Sequence, residues 1–305
     1  MLELLHSLIF RPYVTIFLLA FLALSWMEQG KLRTLIWMVT GYFVALIAEW
    51  GSINHGVPFG VYVYHIDVED SPLKNDLIIA GVPFFDSLSF AFLSYVSFSF
   101  AQYFMSPLWV EGWDLQRVTP RHVRNSASVL FLGAALMTVL DIVIDPLAHL
   151  GKYWFLGDIY HYPSPGVHFG VTIANYVGWF VVGWTIIFIN QRVDAFLAAR
   201  EHKKKKPVML LHVPYKGAFS SLFWGGIAVF MLATTYYLGY GDHPEIDHPR
   251  VQLQALTGTF LMAPIFLLAL LQRFKPSNMA REEDVRMWLA EYPCPKLAAK
   301  LDEPG

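Results

Sequence analysis

Apolar runs close to 20 residues long recur along the whole chain, each broken by a short polar or charged stretch. The runs fall at about 8–26, 34–50, 83–105, 126–145, 170–190, 219–239 and 252–272, each long enough to cross a bilayer as a helix. A membrane β-barrel would show segments of about ten residues with strict apolar/polar alternation, and that pattern is absent. The pattern predicts an all-α, polytopic membrane helix bundle of about seven transmembrane helices. Composition agrees: of 305 residues, 55% are hydrophobic and only 15% charged, against about 25% in a soluble domain. The first run lies far from a charged leader region and lacks a cleavage site, so it reads as a retained span.

Charge changes the picture by orienting the bundle. Lys31 and Arg33 follow the first run, Arg117, Arg121 and Arg124 the third, and Arg200 to Lys206 ("REHKKKK") the fifth. The alternate loops are acidic, with Asp67, Glu69, Asp70 and Asp76 after the second run and Asp242, Glu245 and Asp247 after the sixth. Basic loops stay in the cytoplasm, so the N-terminus is expected outside and the C-terminus inside a multi-pass protein of the cell (inner) membrane. Residues 1–275 then form the transmembrane domain and 276–305 a cytoplasmic tail. In the tail, "REEDVRMWLAEYP" reads as a short amphipathic helix on the membrane surface. The lysine run suits orientation and anionic lipid, and nothing else on the chain suits nucleic acid. The single Cys294 excludes an internal disulfide.

With topology assigned, the ionisable residues inside the runs gather on one side. Glu49, Asp86, Asp141, Asp145 and Asn175 converge on the outer half of the bilayer, and the cytoplasmic ends show no comparable group. Asp141 and Asp145 lie four apart in "VLDIVIDPLAH", so a helix stacks them on one face. If Pro146 ends that helix at Asp145, Asp141 lies about 6 Å deeper. A charged Asp at mid-membrane costs about 2.5–3.5 kcal/mol, and no Lys or Arg inside the runs offers compensation. Two carboxyls sharing one proton remove that cost and make an acid/base pair.

Plainer structural roles compete at each position. Asp145 before Pro146 can simply end a helix, Asp86 three residues after Pro83 can complement a helix dipole, and Glu49 can mark the interface. His55, His65, His149, His161 and His168 populate the same face without metal-ligand spacing, which favours interfacial or hydrogen-bonding roles. A short quasi-repeat, "GVPFGV" at 56–61, "GVPFF" at 81–85 and "GVHFGV" at 166–171, shapes non-helical backbone that protein must shield at membrane depth. Nearby aromatics (Phe59, Tyr62, Tyr64, Trp154, Trp179) suggest either a lined groove or an interfacial belt.

"AEWGSINHGVPFGVYVYH", the "GVP" opening the next run, "DIVIDPLAHLGKYWF" and "FGVTIANYVGW" together resemble the CruF-type carotenoid biosynthesis family. The resemblance covers about residues 40–190 in motif order. Its members include γ-carotene 1',2'-hydratase and bisanhydrobacterioruberin hydratase. The chain departs from the pattern at Thr172, which stands after "FGV" where the family pattern calls for proline, and "FFDSLSF" has no matched position. The resemblance implies a cofactor-independent carotenoid 1,2-hydratase acting on a long hydrophobic carotenoid within the bilayer. Water addition to a terminal isoprenoid double bond needs an acid that protonates the alkene and a carboxylate that takes a proton from water. Asp141 and Asp145 are expected as that pair, with Glu49 and Asp86 assisting. Asn175 and the aromatics Phe59, Tyr62, Tyr64, Trp154 and Trp179 would bind substrate or water. No metal, nucleotide or redox cofactor is expected. A cofactor-free cyclase or isomerase would use the same proton donor, and a proton-coupled lipid transporter would need polar groups through the whole depth. A retinal protein is excluded, because "LQALTGTFLMAPIFLLALL" has no lysine.

Overall fold

A computed structural model describes residues 2–204 and 208–302; Lys205 and Lys206 of the basic run lie outside the described residues. The helices are α1 (Leu2–Ile9), α2 (Pro12–Gln29), α3 (Lys31–His55), α4 (Phe84–Met105), α5 (Arg121–Arg124), α6 (Ala127–Ala148), α7 (Ile173–Lys204), α8 (Phe219–Tyr240), α9 (His248–Phe274), α10 (Glu282–Glu291) and α11 (Pro295–Asp302). Seven of them, α2, α3, α4, α6, α7, α8 and α9, are long and apolar enough to cross a membrane. The protein is a multi-pass membrane helix bundle. Three two-stranded antiparallel ribbons decorate its ends: β1 (Val63–Tyr64) with β6 (Tyr160–His161), β2 (Ile78–Ile79) with β3 (Val82–Pro83), and β4 (Leu108–Glu111) with β5 (Asp114–Arg117).

Local chemistry sets the helix ends. Pro12 opens α2, where a missing N–H costs nothing. Gly30, at φ +81°, both ends α2 and begins α3, so the first two spans turn on one residue. The Ser126 hydroxyl caps α6 by accepting from the Val129 N–H. Asp247 does the same for α9 through the Arg250 N–H.

α4 is the axis of the bundle, with 17 of its 22 residues buried. Its small Ser and Ala positions let neighbours approach closely. A Cβ added at Gly41 of α3 would lie 2.7 Å from the Ala91 Cα, and one at Gly133 of α6 would lie 3.2 Å from the Phe98 Cα. The outer helix faces carry exposed Leu35, Phe43, Ile47, Phe260 and Leu267, as lipid contact requires.

Three boundaries differ from the hydropathy reading. α6 continues through Pro146 to Ala148 instead of stopping at Asp145. The first span starts at Pro12 because α1 is a separate helix. α7 runs well past 190 because protein buries the polar residues that end the apolar run. There the Gln191 amide donates to the carbonyls of Arg124 and Ser126 (both 3.1 Å), and Asp194 accepts from Arg33 (2.6 Å).

The basic-loop end also corrects an expectation. It holds a buried polar network of its own, so polar groups are not confined to the acidic-loop end. Glu28 accepts from Tyr95 (2.8 Å) and Ser99 (2.7 Å) and pairs with Arg117 (3.1 Å). These residues sit at the ends of apolar runs, where charge reads as a topology signal, and folding turns them inward. Between the two polar layers the bundle is filled by fully buried Phe21, Trp37, Ala45, Met137 and Leu140.

In the tail, Val285 and Trp288 of α10 turn onto protein while Met287 is exposed. Val285 and Trp288 form a small core with Val118, Leu210, Tyr292, Cys294 and Leu297, so the Cys294 thiol is buried.

Candidate active site

At the acidic-loop end, the segment after α3 turns at Gly56, in the left-handed region at φ +73°, and the Ser52 hydroxyl accepts from the Phe59 N–H (2.9 Å). The chain then rises as β1 and pairs with β6, Val63 opposite His161 and Tyr64 opposite Tyr160. Strand alternation sends Tyr62, Tyr64, Tyr160 and Tyr162 inward and leaves Val61, Val63 and His161 outside. The four rings meet edge to face, with centroids 5.3 Å apart for Tyr62–Tyr64 and 5.8 Å for Tyr160–Tyr162.

This tyrosine wall closes over four carboxyl groups from three helices. The Tyr64 hydroxyl donates to Asp86 (2.6 Å) at the start of α4. Tyr160 (2.8 Å) and Tyr162 (3.3 Å) donate to the two oxygens of Asp145 on α6. Ser87 donates to Glu49 on α3. The Asn175 amide, in the first turn of α7, donates to both Asp141 (2.7 Å) and Asp145 (2.8 Å). One amide thus bridges Asp141 and Asp145, and the second oxygen of Asp141 is buried without a hydrogen-bond partner among the described residues. Thr172, the departure from the family pattern, accepts from the Asn175 N–H (3.3 Å) and donates to the Phe59 carbonyl (3.4 Å). It thus ties the amide that brackets the aspartates to the opposite loop.

Burial pushes the phenols of Tyr62, Tyr64, Tyr160 and Tyr162 well above their ordinary range, reinforced by the neighbouring carboxylates, so they remain O–H donors. Burial also pushes His149 down to about 4. Its ring lies 5.2 Å from those of Tyr160 and Tyr162, and it stays a neutral part of the wall at physiological pH.

Two cavities meet here. A small chamber is lined by Glu49, Asp86, Asp145, Asn175, the four tyrosines, Phe59, Phe90 and Trp179. A larger, mainly apolar cavity runs from it between α2, α4, α6 and α8, past Tyr13, Phe17, Phe92, Trp154 and Phe155. Asp86, Asp145, Tyr160 and Trp179 line both and form the neck between them. Trp179 is held there by stacking on Phe90 at 4.2 Å.

Of the residues singled out from sequence, Glu49, Asp86, Asp145, Asn175, Phe59, Tyr62, Tyr64 and Trp179 share the chamber, and Trp154 lines the apolar cavity. Asp141 lies behind Asp145, fully buried and off both cavity walls. Tyr160 and Tyr162 were missed, although "YHY" at 160–162 repeats the alternation of "YVY" at 62–64. The histidines pair elsewhere: His65 with His161 (2.7 Å) and His168 with Tyr176 (2.5 Å). Among the described residues, no three His, Cys, Asp or Glu side chains are arranged to hold a metal ion.

The fold and its cavities define a multi-pass membrane helix bundle with a buried acidic chamber that opens into an apolar cavity. The chain belongs to the carotenoid biosynthesis protein family, whose sequence model matches residues 10–240 and so includes every residue of the chamber. No curated protein and no solved structure matches it significantly.

Proposed function

We propose that the protein is a carotenoid 1,2-hydratase, adding water across the terminal double bond of an acyclic carotenoid end group. The observation that carries this reading is the neck, where two carboxyl groups face an apolar cavity on one side and a polar chamber on the other. An isoprenoid end in the apolar cavity meets the acids with its last double bond, and water has its place in the chamber.

Asp145 shares a proton with Asp141 across the Asn175 amide and delivers it to C2 of the alkene. The π pair forms the new C–H bond, and a tertiary cation is left at C1. The faces of Trp179 and the neighbouring tyrosines carry the negative side of the ring quadrupole toward that cation. Water oriented by Asp86 and Glu49 forms the C–O bond and passes a proton to Asp86. The reaction consumes one water, is redox-neutral, and returns to its start when the proton moves back from Asp86 to the Asp141–Asp145 pair. Asp141 acts through Asp145, as a positioning and proton-sharing residue.

The same cation can cyclise. Cyclisation needs the chain to fold back within the apolar cavity and makes no use of the polar chamber, so hydration is the better fit. Transport would need a polar path through the apolar layer around Trp37 and Met137, whose side chains are fully buried. Expression in a lycopene-making bacterium grown with heavy-oxygen water tests the reading. The expected product is a pigment heavier by one water and carrying the label. A new pigment of unchanged mass would identify a cyclase or isomerase instead.

Tyr160→Phe removes one hydrogen bond to a charged group, worth about 1.5–3 kcal/mol. Turnover should fall about tenfold or more, with the protein still inserted at wild-type level. An unchanged rate would remove Tyr160 from the machinery.

A further inference from the structure

At the basic-loop end, a second, small polar cavity is lined by Glu28, Gln102, Arg117, Thr119, Arg124, Lys216 and, from the tail, Trp288 and Tyr292. We propose that this cavity is a binding site for a phosphate oxyanion, supplied either by a lipid headgroup or by free phosphate. It lies at the far end of the bundle from the acidic chamber, and the inference does not depend on the hydratase reading.

Charge carries the first part of the inference. The lining side chains supply three cations, Arg117, Arg124 and Lys216, against the single carboxylate of Glu28, and all four residues are buried. Arg117 is paired with Glu28 at 3.1 Å and Arg124 faces Asp194 at 3.9 Å, so Lys216 is the lining cation that forms no ion pair with a carboxylate among the described residues. A buried ammonium without a counter-ion is costly unless an anion joins it.

Geometry carries the second part. The guanidinium groups are fixed from behind. Arg117 donates to the Ser99 carbonyl (2.5 Å), Thr119 (3.0 Å) and Gln102 (3.3 Å), and Arg124 donates to Gln29 (2.5 Å). Such a cradle exists before its ligand arrives. Lys216 Nζ makes its hydrogen bonds to the main-chain carbonyls of Leu211 (2.6 Å) and Met27 (3.4 Å) rather than to a carboxylate. The Tyr292 hydroxyl lines the cavity, is fully enclosed, and has no hydrogen-bond partner among the described residues. A tetrahedral oxyanion would satisfy that hydroxyl and the lysine together and draw on the charge of both arginines. Tyr292 and Trp288 belong to the tail, so the ligand would also fasten the tail onto the bundle.

The test uses the full-length protein purified in a neutral, phosphate-free detergent. Sodium phosphate should raise the melting temperature saturably above a sodium chloride control of equal ionic strength. Lys216→Met should abolish the shift. Tyr292→Phe, which keeps the packing, should raise the half-saturating phosphate concentration about tenfold. Native mass spectrometry from nanodiscs of phosphatidylglycerol or of a neutral galactolipid separates the sources. A retained phospholipid displaced by inorganic phosphate identifies a headgroup site, and a phosphate shift without retained lipid identifies a free-phosphate site. Phosphate acting no better than chloride, with no phospholipid retained, overturns the proposal. So does a shift that survives Tyr292→Phe unchanged, whether or not Lys216→Met folds.

Discussion

Asp145→Asn is expected to give a folded, membrane-inserted protein whose hydration rate falls by about 10²–10⁴-fold, the usual contribution of a positioned acid or base. Asn keeps the size of Asp; its one amide oxygen can still accept from Asn175 and Tyr162 while its NH2 group donates to the Tyr160 oxygen, so the tyrosine wall should stay closed. It cannot deliver a proton to an alkene. Pigment analysis by mass, normalised to the protein in the membrane fraction, makes the measurement. Turnover within a few-fold of wild type would take Asp145 out of the chemistry and the neck out of the mechanism. Asp141→Asn belongs in the same experiment. It removes the partner with which Asp145 shares its proton while leaving the cavity wall untouched, and unhydrated carotenoid should accumulate there too. Full turnover by that variant would reduce Asp141 to a packing role.

Gly41→Val is expected to destabilise the bundle by about 3 kcal/mol or more, at the upper end of overpacking costs. The clash at 2.7 Å is with the Ala91 main chain, not with the end of a flexible side chain, so the two helices must move apart. The same seam brings Glu49 against Ser87, so any surviving protein should also lose activity. Gly226→Ala on α8 is the control, because an added Cβ there meets nothing within 4 Å. Folded yield by size-exclusion chromatography and thermal melting distinguish them. Equal melting temperatures for G41V and wild type would mean that the α3–α4 approach is looser than described.

The bundle was legible in the sequence because lipid imposes runs of about 20 apolar residues, and seven such runs became seven long helices. Part of the site was legible for a related reason. Asp141 and Asp145 four apart in an apolar run cannot both face lipid, and Asn175 opens the neighbouring run from the same end. Depth along a helix and facing are different quantities, however. The spacing stacked the two aspartates on one face, and only the packing of α7 against α6 put Asp145 on the cavity wall and Asp141 behind it. The wall itself was half visible. Tyr62 and Tyr64 stood out beside a Gly-Pro turn, whereas Tyr160 and Tyr162 sat in a loop with no long apolar run to give them a depth. The basic-end network escaped for the opposite reason. Glu28, Arg33, Arg124 and Asp194 stand where charges normally mark the membrane surface, and no hydropathy pattern tells an outward charge from one turned toward its neighbours.

Tyr64 and Tyr160 face each other across the β1–β6 ribbon, and each grips a different acid, Asp86 on α4 and Asp145 on α6. One rung of backbone therefore acts as a calliper on two helices, tying the gap between the acids to the width of the ribbon. Because side chains alternate along a strand, slippage of either strand by a single residue would swing its phenol away, and the acid it grips would lose its fixed distance from the other.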